Sequence, residues 1–345
     1  MTDNVNNPFT IRAIDLASDN DMRMLNALDE ACDRELFGGV QPMTVHERRA
    51  ALEPSAFADK HRWVAEVRDH KGRPALAGIA MVSMPTQEHL DTATVGLGVH
   101  PDWRGHGIGT ALAARVQECL TENRRTKVTV YGAVPSGADP RDASLPWNKF
   151  ARRLGVAARN TATMKTLALP VLPTLLDELA ASVPEAGYRL ETWINDVPEE
   201  HLAEFGVVLR QLELDEPVGG AEKHVQDMPV ERVREILQRG RDMGFTSIHT
   251  VAFAPDDTMA AQSEIAFKTT PGTTMGYQEN TLVMPVHRGH RLGTLVKVTN
   301  HRRLAEMAPH LKVLVTGNSD VNVHMNAINE KLGYRPAFTE VMYQS

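Results

Sequence analysis

The sequence predicts an α/β (α+β) protein made of two consecutive copies of one strand-and-helix unit. The stretch Val99 to Thr110, V-H-P-D-W-R-G-H-G-I-G-T, returns as V-M-P-V-H-R-G-H-R-L-G-T over Val283 to Thr294, at a constant offset of 184 residues. Each copy follows a β-type apolar run and leads into a helical pattern. In the first, Thr94 to Val99 runs into Ile108, Leu112, Val116 and Leu120, an i, i+4 stripe. A chain of 345 residues is also long enough for two or three domains, each burying its own core.

Taken in order, Phe9 to Ile14 reads as a strand. Asp21 to Phe37 is a helix with Met24, Leu25, Leu28, Cys32 and Leu36 at helical spacing, closed by Gly38-Gly39. A looser helix spans Thr44 to Leu52. Arg62 to Val67 and Ala75 to Met84 form a hairpin, because Asp69-His70-Lys71-Gly72 is turn chemistry between β-type runs. Thr92 to Val99 delivers the first motif, followed by helix 107–122, strand Lys127 to Tyr131, helix Pro146 to Leu154 ending at Gly155, and strand Val156 to Leu169, expected to close the first copy. Leu169 to Glu185, bracketed by prolines and lacking Gly/Ser composition, reads as a packed linker helix rather than a tether.

The second copy restarts with the strand Tyr188 to Trp193 and continues through helices Glu199 to Leu214 and Pro229 to Met243. The loop Asp215 to Gly220 between them is rich in turn residues and is expected to border an acceptor pocket. Antiparallel strands Thr246 to Ala254, Gln262 to Thr269 and Tyr277 to Met284 follow, then helix 292–307, strand Lys312 to Thr316, helix Val323 to Leu332 and strand Ala337 to Tyr343, expected to close the second copy. The division is 1–168, linker 169–185, and 186–345.

A glycine-rich turn between strand and helix suits anion binding. Glycines allow backbone conformations barred to other residues, and the first-turn N–H groups point outward with the positive end of the helix dipole. A nucleotide-triphosphatase loop would need Lys-Ser/Thr after its last Gly, and a dinucleotide fold would need G-x-G-x-x-G with an acid about twenty residues on; neither is present. What remains is Arg104-x-x-Gly107-x-Gly109.

This signature resembles the pyrophosphate-binding motif of the GNAT acetyltransferase superfamily, and the resemblance covers nearly the whole chain as a tandem GNAT protein with a mycothiol-synthase-like layout. It implies that each copy is a mixed, mostly antiparallel sheet flanked by helices, and that the cofactor is acetyl-CoA. The residues it places at coenzyme A are Val283, Met284, Arg288, Gly289, His290, Arg291, Leu292, Gly293 and Thr294 in the second copy. In the first they are Val99, Arg104, Gly105, His106, Gly107, Ile108, Gly109 and Thr110. Arg291 departs from the motif by replacing its middle glycine. Asn318 and Asn322 resemble cofactor contacts after the fifth strand, although Asn also caps helices well, and one of the two is expected only to cap.

Acyl transfer to an amine needs a base to neutralise the amine and a proton for the departing thiolate. Glu279, four residues before Val283, is the leading base, with Glu264 in reserve and His249 as a further option; the position in the first copy matching Glu279 is Val95. The family commonly places an acidic Tyr four residues before the Gly that ends the following helix, where this chain has Asn329 and Ala151. Tyr343, Tyr277 or water is left to supply the proton. Catalysis is therefore expected in the second copy, while the first binds acyl-CoA or serves as scaffold.

Composition is that of a soluble globular protein, 42% hydrophobic and 23% charged, and a net charge of −7 argues against a general nucleic-acid binder. Thr281 to Ala305 nevertheless holds His287, Arg288, His290, Arg291, Lys297, His301, Arg302 and Arg303 without an acid, and is expected to hold a phosphate-rich anion. Cys32 and Cys119 make neither a metal cluster nor a disulfide framework. No leader pattern and no apolar run of roughly 18 to 20 residues is seen, so a cytoplasmic protein off the membrane, monomeric or homodimeric, is the expectation. The predicted activity is acetyl-CoA-dependent N-acetylation of a small-molecule primary amine by direct attack. Peptide N-acetylation and a catalytically silent acyl-CoA-binding regulator are the alternatives.

Overall fold

In the computed structural model, described for residues 8–37, 42–135 and 138–345, the elements follow the repeat. They are β1 (Phe9–Ala13), α1 (Asp19–Phe37), α2 (Val45–Leu52), β2 (Ala58–Arg68), β3 (Pro74–Pro85), β4 (Thr92–Val99), α3 (Ile108–Glu122), β5 (Lys127–Pro135), α4 (Pro146–Leu154), β6 (Ala157–Ala168) and α5 (Pro173–Ala181). The second half adds β7 (Arg189–Ile194), α6 (Leu202–Asp215), α7 (Val230–Asp242), β8 (Phe245–Phe253), β9 (Met259–Lys268), β10 (Met275–Val283), α8 (Leu292–Met307), β11 (Val313–Ser319), α9 (Val323–Leu332) and β12 (Arg335–Gln344). The predicted closure of α1 at Gly38-Gly39 lies outside the described residues.

Local sequence explains most of these bounds. Thr44 and Glu47 form a capping box at α2: Thr44 Oγ1 accepts from the Glu47 N–H (3.1 Å) and Glu47 Oε2 accepts from the Thr44 N–H (2.7 Å). Gly155 and Gly333 end α4 and α9 in the left-handed conformation, at φ +73° and +98°. The predicted stripe of α3 is buried, with Ile108, Leu112 and Val116 in the core with Val82, Val95 and Val130.

Two compact units result. One comprises the described residues up to Thr161 with Gly219–Glu222 and Phe338–Ser345; the other comprises Ala162–Val218 and Lys223–Ala337. In the first unit the strand order is β1-β2-β3-β4-β5-β12, with β4 and β5 parallel and the other neighbours antiparallel. In the second it is β7-β8-β9-β10-β11-β6, with β10 and β11 the parallel pair. Three antiparallel strands deliver the second motif, as predicted.

The closing strands are a correction. The strand after α4 does not close the first copy: its residues Ala162 to Ala168 pair antiparallel with Ser319 to Val313 of β11. The last strand does not close the second copy either, since Phe338 to Gln344 pair with Pro135 to Thr129 of β5. Val341 and Tyr343 of β12 sit in the core that contains Val130 and Val134. The two strands occupy the same position in the repeat and have similar apolar content, so alternation alone cannot assign either to a sheet.

The loop 215–220 is divided: its residues up to Val218 belong to the second unit, and Gly219–Glu222 belongs to the first. There the Gly220 N–H donates to the Arg159 carbonyl (2.9 Å), and Glu222 Oε1 accepts from Lys127 Nζ (2.8 Å).

The strand exchange predicts that a substitution near the C-terminus destabilises the unit built from the N-terminal half. Val341, fully buried, changed to Ala should cost about 2 kcal/mol. Hydrogen exchange is the check: amides of β5 should exchange faster, and those of β11 should not.

Candidate active site

Both motif turns are built alike. After β4 a short 3-10 turn, Pro101–Trp103, leads into Gly105 (φ +81°) and Gly107 (φ +85°) before α3. A Cβ at either glycine would meet nothing within 4 Å, so the backbone conformation and not crowding calls for glycine. After β10 the turn Pro285–His287 leads into Gly289 (φ +89°) and Arg291 (φ +57°) before α8. A non-glycine residue in this region costs roughly 1–2 kcal/mol. Arg291 keeps the left-handed conformation of the glycine it replaces, and its guanidinium donates to the Ser182 carbonyl (2.8 Å), which fixes where this side chain points.

The motif arginines fasten the turns. Arg104 Nε donates to the Val99 carbonyl (3.3 Å), while its two Nη atoms bridge the Glu35 carboxylate at 2.7 and 2.5 Å. Arg288 repeats this, donating to the Val283 carbonyl (3.2 Å) and to Asp215 Oδ2. Each guanidinium thus ties the end of its strand to the helix that leaves the first strand of its unit. The first-turn N–H groups of α3 and α8 remain directed outward, where an anion can meet them.

Most charges of the basic segment of the second copy have partners within the protein. Arg288 pairs with Asp215, Arg302 with Asp177 and Arg303 with Glu306, while Lys297 and His301 are buried. His287 hydrogen-bonds the Tyr188 hydroxyl (3.2 Å), and the His290 ring lies beside the Tyr188 ring. The acids that neutralise the segment lie outside it in sequence.

The parallel strands part beyond each turn. Ladder pairing of β4 with β5 covers Thr92 to Val95, and that of β10 with β11 only Met275 to Tyr277. The stretches that continue, 96–99 and 278–283, face a fork. Here the copies differ. β4 pairs in unbroken register with β3 from Gly78↔Val99 to Ser83↔Thr94, whereas β10 carries a bulge between Gln278 and Thr281, so that Glu279 and Asn280 together oppose Glu264 of β9.

The bulge concentrates charge. Glu279 is exposed at the bulge, yet the protein around it withholds part of its solvation; this desolvation, then the nearby Glu264 carboxylate, pushes its carboxyl up to about 7. His249 lies opposite Glu264 on β8, buried against the Phe205 ring, with Nδ1 4.0 Å from Glu264 Oε2. Glu279, Glu264 and His249 therefore form one cluster on the face of the sheet shared with α6. In the first unit, Val95 to Gly98 supply no titratable group.

The remaining candidates separate. Tyr343 lies on β12 in the first unit, buried, and donates to Asn148 Oδ1 (2.8 Å); it is a packing residue of that core, which corrects its expected part in the second copy. Asn322 is the N-cap of α9, its Oδ1 accepting from the Met325 N–H (3.2 Å). Asn318 Oδ1 accepts from Asn329 Nδ2 (2.5 Å), and Asn329 Oδ1 accepts from Lys297 Nζ (2.9 Å), a connection between α8, α9 and β11 that sequence reasoning missed. The spacing of Lys297 and His301 at i, i+4 on a face that also carries Val296 and Leu304 marked a buried polar stripe.

Two cavities lie away from the forks. One of about 160 Å³ is lined by Asn26, Asp29, Glu30, Asp33, Met43 and Arg48, and burial with the neighbouring Asp29 pushes Asp33 up to about 6. Another, of about 420 Å³, lies among Asp196, Glu199, Leu202, Arg234 and Arg241. Among the described residues no cluster has the side chains of a metal site, and no helix is long and apolar enough to cross a membrane.

Residues 27–135 match the sequence model of the Acetyltransferase (GNAT) family. No curated protein sequence matches the chain. Among solved structures, a tandem GNAT protein from the clavulanic acid biosynthesis pathway is similar over 98% of each chain, at 26% identity and a TM-score of 0.76. A GCN5-related N-acetyltransferase from Sphaerobacter thermophilus shares the fold over 99% of this chain and 96% of its own, at 15% identity and TM-score 0.63. Saccharomyces cerevisiae N-myristoyltransferase with bound myristoyl-CoA does so over 99% of this chain and 79% of its own, at 12% identity and TM-score 0.57.

The cluster predicts a coupled titration. Glu264→Gln removes the like charge, so the Glu279 carboxyl should titrate lower, while desolvation, the larger cause, still holds it above 4.5. Carboxyl carbon shifts followed by NMR across pH 4 to 9 check both the direction and the residual elevation.

Proposed function

We propose, from the match of residues 27–135 to the Acetyltransferase (GNAT) family and the likeness of the whole chain to a tandem GNAT protein, that this chain is an acyltransferase that transfers an acetyl group from acetyl-CoA to the primary amine of a small molecule, with the chemistry in the second unit. The bulge in β10 that brings Glu279 beside Glu264 is the observation that carries this reading. On it, the two copies, 1–168 and 186–345 joined by 169–185, are versions of one domain that have exchanged closing strands.

The residues present suit such a cofactor. The open backbone above Gly289 and the α8 N-terminus offer N–H donors for a pyrophosphate, with Val283, Met284, Arg288, His290, Arg291, Leu292, Gly293 and Thr294 forming the turn. The extended pantetheine arm requires strand-edge donors and acceptors, which β10 offers where β11 has left it. In the first unit, Val99, Arg104, Gly105, His106, Gly107, Ile108, Gly109 and Thr110 form an equivalent cradle, which binds acyl-CoA or serves as scaffold.

Glu279 takes the proton that an ammonium substrate must lose. A carboxyl titrating near 7 is matched to that task at neutral pH, because an appreciable fraction is ionised while its basicity exceeds that of an ordinary glutamate. The amine then attacks the thioester carbonyl, the C–N bond forms, the C–S bond breaks, and the proton that the nitrogen sheds passes through water to the departing thiolate. Glu264 sustains the elevation of Glu279 from the neighbouring strand. Direct attack follows from the family, and it agrees with the cysteines: burial pushes Cys32 up to about 11, and Cys119 is buried in α3.

Calorimetry with acetyl-CoA tests the assignment. Gly293→Asp, which places a negative charge at the α8 N-terminus, should abolish binding to the catalytic unit, and Gly107→Asp should reveal whether the first unit contributes a second site. Loss of binding and turnover with Gly107→Asp alone would overturn the assignment. Glu279→Gln should lower kcat by about 10²- to 10⁴-fold with acetyl-CoA affinity retained. The wild-type rate should rise with pH through about 7, as Glu279 loses its proton.

A further inference from the structure

Lys297 lies on the inner face of α8, 1% exposed, with no carboxylate in ion-pair contact among the described residues. A buried ammonium is costly unless hydrogen-bonded. Its Nζ donates to Asn329 Oδ1 (2.9 Å) and stands 5.8 Å from the centre of the Tyr334 ring, with His301 one turn further along α8. Asn329, fully buried on α9, in turn donates through Nδ2 to Asn318 Oδ1 (2.5 Å) on β11. Asn318 is half-buried, on the part of β11 that lies beyond its pairing with β10.

The donor inventory gives this chain a direction. Lys297 Nζ donates to the Asn329 oxygen; burial pushes its amine down to about 7, and the protonated form, which only donates, holds that carboxamide with its amino group toward Asn318, whose oxygen receives it. One end of the Asn318 carboxamide is left over, the amino group. Such a donor suits an amide carbonyl.

We propose that Lys297 is a positioning residue: acting through Asn329, it orients the Asn318 carboxamide so that its amino group is presented to a carbonyl of the acyl-CoA pantetheine arm in the β10–β11 fork. This rests on the reading that the second unit binds acyl-CoA. Asn329 occupies the place where the family commonly has an acidic Tyr; its carboxamide transmits orientation instead of a proton. With Lys297 shortened to an apolar chain, Asn329 is free to turn over, and Asn318 then offers an acceptor as readily as a donor.

The test uses the full chain in the Gly107→Asp background, so that the second unit alone reports, with calorimetric acetyl-CoA affinity and steady-state KM and kcat as readouts. Lys297→Met and Asn329→Asp should each weaken affinity by about three- to tenfold, the worth of one neutral hydrogen bond, with kcat within about twofold. Asn329→Asp keeps a partner for Lys297 and similar volume, so it carries the test if Lys297→Met does not fold; it cannot donate to Asn318. In an Asn318→Ala background both effects should vanish, because the oriented group is gone. Folded variants with unchanged affinity would overturn the proposal, as would equal losses with and without Asn318, which would mark a purely structural role. Adding Gly293→Asp separates the underlying reading: if acetyl-CoA binding survives it, acyl-CoA does not bind at this turn and both inferences fall; if binding is lost while Lys297→Met and Asn329→Asp bind like wild type, only the positioning role falls.

Discussion

Each unit pairs its parallel strands at one end only. β4 and β5 share four ladder positions, β10 and β11 three, and then the strands diverge. Backbone N–H and C=O groups are obligatory hydrogen-bonding groups, and a sheet that opens in its middle leaves a short run of them facing a gap. An extended polar ligand can complete such an edge. The turn at the end of the strand adds a helix N-terminus to the same opening, so strand, gap and dipole converge where a phosphate-bearing chain would lie. The motif arginine serves that geometry: it ties the end of the strand to the helix from the first half of the unit, through Glu35 in one copy and Asp215 in the other.

The copies have the same frame and different chemistry. In the first, β4 keeps regular register and its fork stretch is Gly96-Leu97-Gly98, apolar and without a proton acceptor. In the second, one extra residue in β10 sets Glu279 beside Glu264, with His249 behind, on the face of the sheet next to α6. The opposite face carries a second polar layer: Ser263 and Thr281 share a hydrogen bond (2.9 Å), Thr316 donates to the Gln278 carbonyl (3.0 Å), and Lys297, Asn329 and Asn318 follow in line. Burying so many polar groups costs stability unless each is satisfied.

Sequence reading was most accurate where signals are local. The paired motifs, the strand–turn–helix context, the helix stops at Gly155 and Gly333, and the antiparallel run of β8, β9 and β10 depend on periodicity and backbone conformation within a few residues. Of the two asparagines, one indeed caps a helix: Asn322 does, and Asn318 is held by Asn329. Charge was least legible in the sequence. Eight basic residues without an acid between Thr281 and Ala305 look like a cationic patch, yet Asp215, Asp177 and Glu306 reach it from outside the segment, and Lys297 and His301 point into the core.

The amino-acid sequence by itself determined the tandem layout, the order of strands and helices and the turns that carry the motif, because each is written in spacing, alternation and glycine placement over short stretches. Only the tertiary structure decided which strand closes which sheet, that Glu279 sits at a bulge with Glu264 across from it, and that Lys297 reaches Asn318 through Asn329. A strand of period two can pair with any edge of matching register, and a side chain's partner depends on which distant segment arrives beside it. Both are settled by the sheet as a whole, which no local pattern encodes.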